Sequence, residues 1–461
     1  VHIPGFVLAD LVVTGATALV VDWRESAQRD AWLLIADGRV QATGTGSPPL
    51  ASTSVDASGM LLTPGFVAAH HHLYQGISRG VHAPGGLIDW LDVHYRAWAR
   101  MSAEDVGLGA LLSSSMALLG GCTTVAGFEY LHPPDEDFVT PVVAAAQSVG
   151  IRLLYVRGCA PRLEGPLRDR LETQGVAIDR LVEPEDVALE RTEHTLSRAT
   201  GERLRWATGP TTPVVDDGGA FHRALDEVAK RHNTWMHTHF HPIPGTCNEG
   251  ESGFEMAQRV GLVRHGNWLA HGSRLTSADV AQFGQHGMGI VHNPSCSVLL
   301  NYPTPPLAEW MRGNDRIAVS VDGAASNDRG GMLAEAQLAW QLQRAGDALG
   351  AGSGFAVNPA ALLDAATRGG ASAINWAGLG TLAPGNAADF ALWDLTDIGF
   401  AGTPRSAADV PDWLVARCYS GAPATHVFVA GQPVVVDGSI PAISLTELAE
   451  QSREAATRLY G

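Results

Sequence analysis

Between residues 61 and 380, short apolar runs alternate with longer helical stretches, and the alternation repeats eight times. The runs cover 61–69, 121–126, 152–157, 204–209, 234–239, 267–271, 289–292 and 316–322. Each leaves room for a helix after it. Short apolar strands separated by helices are the signature of βα units, and eight of them predict an α/β fold of the (β/α)8, TIM-barrel type. The flanks read differently. Residues 1–60 break into short strands and turns, with Asp37-Gly38 marking a hairpin. From about 381 the strand pattern returns, at 388–393, 426–430 and 433–436. The expected organisation is a small composite β-sandwich from 1–60 and 381–444, a barrel over 61–380 and a closing helix over 445–461.

Composition narrows the function classes. The chain has 461 residues, 45% hydrophobic and 17% charged, which suits a globular enzyme. A net charge of −17 argues against a nucleic-acid partner. The longest uncharged stretch, 106–128, carries three serines and several glycines, so a helix followed by a strand is expected there rather than a membrane span. Five cysteines (Cys122, Cys159, Cys247, Cys296 and Cys418) lie scattered without a C-x-x-C pair. An odd, unpaired set and no basic leader predict a reducing, cytoplasmic setting with neither secretion nor membrane attachment.

The polar residues gather at strand ends. The first run ends in His70-His71-His72, and residues two apart on a strand share a face, so His70 and His72 converge while His71 turns away. Later runs end in His237-Thr238-His239, Ala270-His271-Gly272, His292-Asn293-Pro294 and Ser320-Val321-Asp322-Gly323. In a barrel these ends open onto one mouth. Imidazoles with one carboxylate suit zinc, with iron(II) or manganese as alternatives, and leave a coordination position open.

The order H-x-H, His, His, Asp on successive strands resembles the amidohydrolase superfamily. Pro64-Gly65-Phe66-Val67 with His70-His71-His72-Leu73-Tyr74-Gln75, Gly121-Cys122-Thr123-Thr124-Val125, Arg157-Gly158, Ala270-His271-Gly272 and Asp322-Gly323-Ala324-Ala325-Ser326-Asn327 are similar to one branch of it. That branch holds the 8-oxoguanine and isoxanthopterin deaminases and the triazine aminohydrolases and chlorohydrolases. The terminal Pro384-Gly385-Asn386-Ala387-Ala388-Asp389 and Val427-Phe428-Val429-Ala430-Gly431 extend the resemblance over nearly the whole chain. The resemblance implies one divalent metal, most simply zinc, held by His70, His72, His239 and Asp322. His271 would ligate or lie beside the attacking water, and Asp322 would take that water's proton. Relatives with two metals bridge them with a carbamylated lysine on strand 4. The only lysine here is Lys230, on the helical stretch after that strand, so a single ion is expected.

One departure bears on the chemistry. Deaminases of this branch carry glutamate three residues after the strand-5 ligand, where it shuttles a proton. This chain has His239-Phe240-His241-Pro242, and proline moves no proton. Glu129, past strand 2, is the favoured substitute, with His241, Glu249 and Glu251 behind it. Gln75, Trp90, Arg157, His241 and His292 are candidates to line the substrate pocket. The implied activity is deamination of a purine, pterin or triazine heterocycle. Hydrolysis of a C–Cl or ring-amide bond is the alternative that Pro242 raises, and a non-catalytic metal- or ligand-binding barrel is the alternative from another class. A small-molecule substrate and a homodimer are the expected partners.

Overall fold

The computed structural model describes residues 9–81, 83, 85–212, 218–241, 247–327, 330–348, 357–401, 410–417 and 423–461. Pro242 and Cys418 lie outside the described residues. Among the described residues sixteen strands follow in chain order. They are β1 (Ala9–Leu19), β2 (Gln28–Ala36), β3 (Arg39–Thr45), β4 (Ala51–Asp56), β5 (Met60–Pro64), β6 (Phe66–His71), β7 (Cys122–Glu129), β8 (Arg152–Cys159), β9 (Leu204–Pro210), β10 (His237–Phe240), β11 (Trp268–His271), β12 (Gly289–His292), β13 (Ile317–Val319), β14 (Phe390–Asp394), β15 (His426–Val429) and β16 (Gln432–Val435).

The strands β6 to β13 are parallel to their neighbours and lie in sequence order, β6-β7-β8-β9 in one four-stranded sheet and β10-β11-β12-β13 in another. A bridge between Thr208 and Met236 links the end of β9 to the start of β10. At the other margin the Ser320 hydroxyl, just past β13, donates to the His70 carbonyl at 2.8 Å and accepts from the His70 N–H at 3.2 Å. Beneath the strand ends, one apolar cluster draws Val67, Ala69, Ala126, Phe128, Leu154, Val156, Ala207, Trp268, Val291 and Ala318 from both sheets. That shared core holds the two sheets' ends against each other and gives the side chains above it a fixed floor.

The terminal segments meet in one eight-stranded sheet of order β16-β15-β14-β5-β1-β2-β3, with β4 also paired to β1. The expectation of short strands near the start is modified. Residues 9–19 form one strand, with a register shift between Val13 and Ala16 that contains Gly15 at φ 68°. The run 61–69, expected as one barrel strand, is in fact two. Its first part, β5, pairs antiparallel with β14 through Pro64 and Phe390, and its second, β6, pairs with β7. Gly65 makes the crossing. Its N–H donates to the Asp389 carbonyl at 3.0 Å, and a Cβ there would come within 2.3 Å of Thr123 Cγ2.

Asp389 ties the two parts together. Its carboxylate takes two hydrogen bonds from the buried Arg152 guanidinium of β8, at 2.7 and 3.1 Å, and a third from the Ala430 N–H at 2.7 Å. The closing helix Leu445–Tyr460 starts on a Ser444 cap and docks on the helical side, with Arg458 paired to Asp105 and Tyr460 Oη 2.7 Å from His94 Nδ1. Among the described residues no helix is long and apolar enough to cross a membrane. Asp389→Ala would strand the Arg152 cation in the interior. The expected loss is about 3–5 kcal/mol of unfolding free energy, the usual scale for breaking a buried ion pair. Urea denaturation against wild type measures it, and a loss within experimental error would mean the pair does not join the two parts.

Candidate metal centre

The strand ends bring five expected residues together. The ring centroids of His70 and His72 are 4.8 Å apart, as same-face residues should be. One ligand atom from each of His70, His239, His271 and Asp322 falls within 4.8 Å of the others. His72 Nε2 lies 3.1 Å from His239 Nε2 and 3.2 Å from Asp322 Oδ1. His271 and Asp322 both have positive φ, 71° and 61°, where the chain leaves its strand. Such a backbone is uncommon for these residue types and, at two inward-facing side chains of one site, marks local strain held by the surroundings.

Hydrogen bonding decides which nitrogens carry protons. His237 Nδ1 lies 2.9 Å from the Trp268 carbonyl, which can only accept, so that nitrogen holds the hydrogen. Burial pushes His237 well below the ordinary histidine range and keeps it neutral. Its Nε2 is therefore a bare acceptor, and His70 Nδ1 donates to it at 2.7 Å. His70 Nε2 is left with a lone pair aimed at the centre. His72 Nδ1 likewise donates to the Phe128 carbonyl, so in the neutral ring Nε2 is the bare atom. Burial opposes a charge on this ring, but Asp322 beside it outweighs burial and raises it, a positive charge that a metal ion would replace. Burial also holds His70 and His239 below the usual range. For Asp322, burial raises the carboxyl, but its histidine neighbours outweigh that and hold it well below the carboxylate range.

The result is a set of electron pairs facing one another out of water. His70 Nε2 and Asp322 Oδ1 are 2.9 Å apart, both buried, and neither has a hydrogen-bond partner. Unpaired polar atoms so placed are costly, and a divalent cation between them removes the cost. The donor set fits a metal ion. His271 differs from the others. Its Nδ1 accepts from the Asn293 amide at 3.1 Å, which places its hydrogen on Nε2.

The remaining expected residues take varied places. Glu129 is buried, and its two oxygens accept the N–H groups of Leu73 at 2.7 Å and Tyr74 at 3.3 Å, in the turn that follows His72. Burial pushes its carboxyl up to about 7, against the pull of those amides. Arg157 does not present a free guanidinium to the mouth. It is buried and paired with Glu183 at 2.6 Å, because an interior cation needs a counter-charge. Gln75 is buried, with Nε2 on the Tyr74 hydroxyl and Oε1 unpartnered beside Gly323. Trp90 Nε1 donates to the Ala325 carbonyl at 3.0 Å and so pins the loop after Asp322. His241 stacks on His271, with ring centroids 4.5 Å apart. His292 is buried with neither ring nitrogen partnered, and burial lowers it to about 3. Glu251 is paired with Arg259. Lys230 pairs with Asp226 and Glu227 on its helix, away from the centre. The roles of His237, Asn293 and Ser326, whose hydroxyl holds Asp322 Oδ2, were not anticipated. The repeated H-x-H at 237–239 was the available signal for the first.

A model of the amidohydrolase family matches residues 61–439. The 8-oxoguanine deaminase of Pseudomonas aeruginosa is 31% identical over 449 residues, spanning 93% of this chain and 94% of that protein. This chain belongs to the amidohydrolase family. It is a metal-dependent hydrolase of C–N bonds other than peptide bonds. An isoxanthopterin deaminase from an unidentified prokaryote is 27% identical, over 91% of this amidohydrolase and 90% of its own length. The zinc-complexed crystal structure of the atrazine chlorohydrolase from Arthrobacter aurescens TC1 superposes with a TM-score of 0.84 at 23% identity, covering 97% of this chain and 100% of the other. That likeness extends the family's α/β TIM-barrel fold to this chain.

Two outcomes follow from the hydrogen bonds. His237→Phe keeps the ring that stacks on Trp268 but removes the acceptor for His70. Metal affinity should fall ~10–100-fold, as for other groups that orient a ligand, measured by competition with a chelating dye. Unchanged affinity would mean that His70 is oriented otherwise. Glu129→Gln offers one acceptor to two N–H groups, so a buried N–H is left unpaired at a cost of about 1–3 kcal/mol. Both stability and metal retention should drop. A large loss of kcat with stability and metal intact would instead assign Glu129 the acid role expected from sequence.

Proposed function

We propose that this chain is an aminohydrolase that hydrolyses an exocyclic amino group from a nitrogen heterocycle of purine, pterin or triazine type, with one divalent ion, zinc by preference, held by His70, His72, His239 and Asp322. The observation that carries the reading is the convergence of bare imidazole nitrogens on an ionised Asp322 whose Oδ1 has no hydrogen-bond partner. The names of the relatives, deaminases of an oxopurine and of a pterin, supply the substrate class.

Bound at these residues, the ion supplies Lewis acidity and brings the pKa of water to about 7. The side chains do the rest. Asp322 is ionised, with Oδ2 fixed by the Ser326 hydroxyl and Oδ1 turned inward, so it can take the proton of the attacking water. Asn293 sets the His271 hydrogen on Nε2, where it can donate to the oxygen of the attacking water and hold it toward the ring carbon, while the electron pair of the C=N bond moves to the ring nitrogen. The proton held by Asp322 then passes to the leaving amine. Gln75 offers an unpartnered carbonyl oxygen for a ring or amino N–H, and Trp90 fixes the loop that carries Asp322. Glu129 acts through the turn after His72. Arg157 contributes by its ion pair, and His292 closes the wall under the mouth.

The second reading, hydrolysis of a C–Cl or ring-amide bond, is favoured by Pro242, since such leaving groups need no acid at that position. In the same proposal the eight parallel strands close as one barrel, the terminal segments form a composite sandwich, and the protein works as a cytoplasmic homodimer.

The test is turnover. Purified protein loaded with zinc is assayed for ammonia release from 8-oxoguanine, isoxanthopterin and an amino-triazine, and for chloride release from a chlorotriazine. Ammonia release from at least one, abolished by chelation and restored by zinc, is expected. Chloride release alone moves the function to the second reading, and no turnover of any compound overturns both. Elemental analysis should give about one ion per chain, and two tightly held ions would overturn the single-ion site. Asp322→Asn should lose about a hundredfold or more in kcat, the scale of a general base. A variant near wild type would show that the proton goes elsewhere.

A further inference from the structure

A column of three rings leads outward from the centre. His271 stacks on His241 with centroids 4.5 Å apart and planes at 21°, and His241 stacks in turn on Tyr302 at 4.3 Å and 26°. Ser273 Oγ lies 3.0 Å from His241 Nδ1 and holds that ring upright between the other two. Tyr302 comes from a different element, the segment after the helix Pro294–Leu299 that follows β12. Its N–H donates to the Ser297 carbonyl at 2.8 Å. Pro303 follows it directly, with Pro305 and Pro306 two residues on. A residue before proline is confined to extended conformations, so this tyrosine is held in place before any ligand arrives.

The end of that side chain is unusual. Tyr302 as a residue is partly exposed, yet its hydroxyl oxygen is buried and has no hydrogen-bond partner. Buried phenol hydroxyls normally find one. Burial raises the phenol above its ordinary range, and the ring itself is placed two stacked rings from His271. The hydroxyl stays protonated and can both donate and accept. Gln75 Oε1, beside Gly323, and Asn293 Oδ1, on the residue that holds His271, are also buried without partners, and as carbonyls they only accept. Among the described residues near the centre, the Tyr302 hydroxyl is thus an unpartnered donor beside these acceptors.

We propose that Tyr302 is a specificity-determining residue whose hydroxyl donates a hydrogen bond to a ring nitrogen or oxo group of the heterocyclic substrate. The inference rests on the aminohydrolase reading and adds the group that reads the ring. A site built to hydrogen-bond one substrate atom discriminates strongly against analogues lacking it, because its own polar group is then left unpaired. The position is also consistent with the sequence around β10. That sequence has proline at 242, where deaminases of the resembling branch carry a glutamate.

The experiment compares wild type, Tyr302→Phe and Tyr302→Leu, each zinc-loaded and checked for metal content, on 8-oxoguanine, guanine, isoxanthopterin and an amino-triazine. Tyr302→Phe keeps the stack and removes only the hydroxyl. The expected result is a fall in kcat/KM of ~10–100-fold on the best substrate, carried mainly by KM, with metal content unchanged and a smaller fall on analogues lacking the acceptor. The ranking of the panel then narrows. Tyr302→Phe at wild-type kcat/KM overturns the proposal, including the case in which Tyr302→Leu alone is impaired, since the ring would then pack without reading. An equal fall on every compound also overturns it, as a general disturbance of the site. If wild type turns over none of the panel, the aminohydrolase reading itself fails, and this proposal with it.

Discussion

The structure turns on the hydrogen bond between His70 and His237. It fixes a tautomer, and the tautomer fixes everything the centre can do. The Trp268 carbonyl takes the His237 hydrogen, His237 takes the His70 hydrogen, and the His70 lone pair is delivered to the interior. The Phe128 carbonyl does the same for His72. Both carbonyls belong to strand backbone, so ligand orientation is built into the sheets themselves. Facing lone pairs repel, and the repulsion is tolerated because the shared core below, from Val67 to Ala318, leaves no room to relax. The fold is thereby committed to a cation at this point, with Asp322 as the balancing charge.

The same logic explains why the terminal sheet is not an accessory. Asp389 stands between the Arg152 guanidinium of β8 and the Ala430 N–H beyond β15, and its carbonyl receives the Gly65 N–H one residue before β6 begins. The start of the strand that carries His70 and His72 is thus referenced to the terminal sheet. Gly65 is required because any Cβ would strike Thr123, so the crossing between sheets is set by close approach.

What could be read in the sequence was what depends on spacing. The apolar runs, the i and i+2 pairing of His70 with His72, and the carboxylate of Asp322 at the last strand end are local patterns, and the residues they named do converge. What could not be read was partnership. Glu129 and Arg157 are charged residues at strand ends, and from sequence each could face a substrate. Whether it does depends on what lies across from it, the Leu73 and Tyr74 amides in one case and Glu183 in the other. Those partners come from the preceding β-strand's exit and from a distant helix margin. The run 61–69 misled for a different reason. Its Pro64-Gly65 pair interrupts the strand without interrupting the hydrophobicity, and only the pairing of Pro64 with Phe390 reveals the change of sheet.

The substitution at 242 belongs with this distinction between spacing and partnership. A glutamate three residues after His239 would bring its own proton to the ring, and the chain has proline there instead. His241, two residues from His239, stands against His271, held by Ser273, and Tyr302 closes on its other face. A stack of two neutral rings with a buried hydroxyl is a poor proton shuttle and a good recognition surface. In the proposed mechanism proton transfer is left to Asp322, ionised and turned inward, and the neighbouring wall selects the ring. On that proposal the chemistry sits on the strand ends and the discrimination on Tyr302, past the helix Pro294–Leu299 and beyond Asn293, the residue of that segment that orients His271.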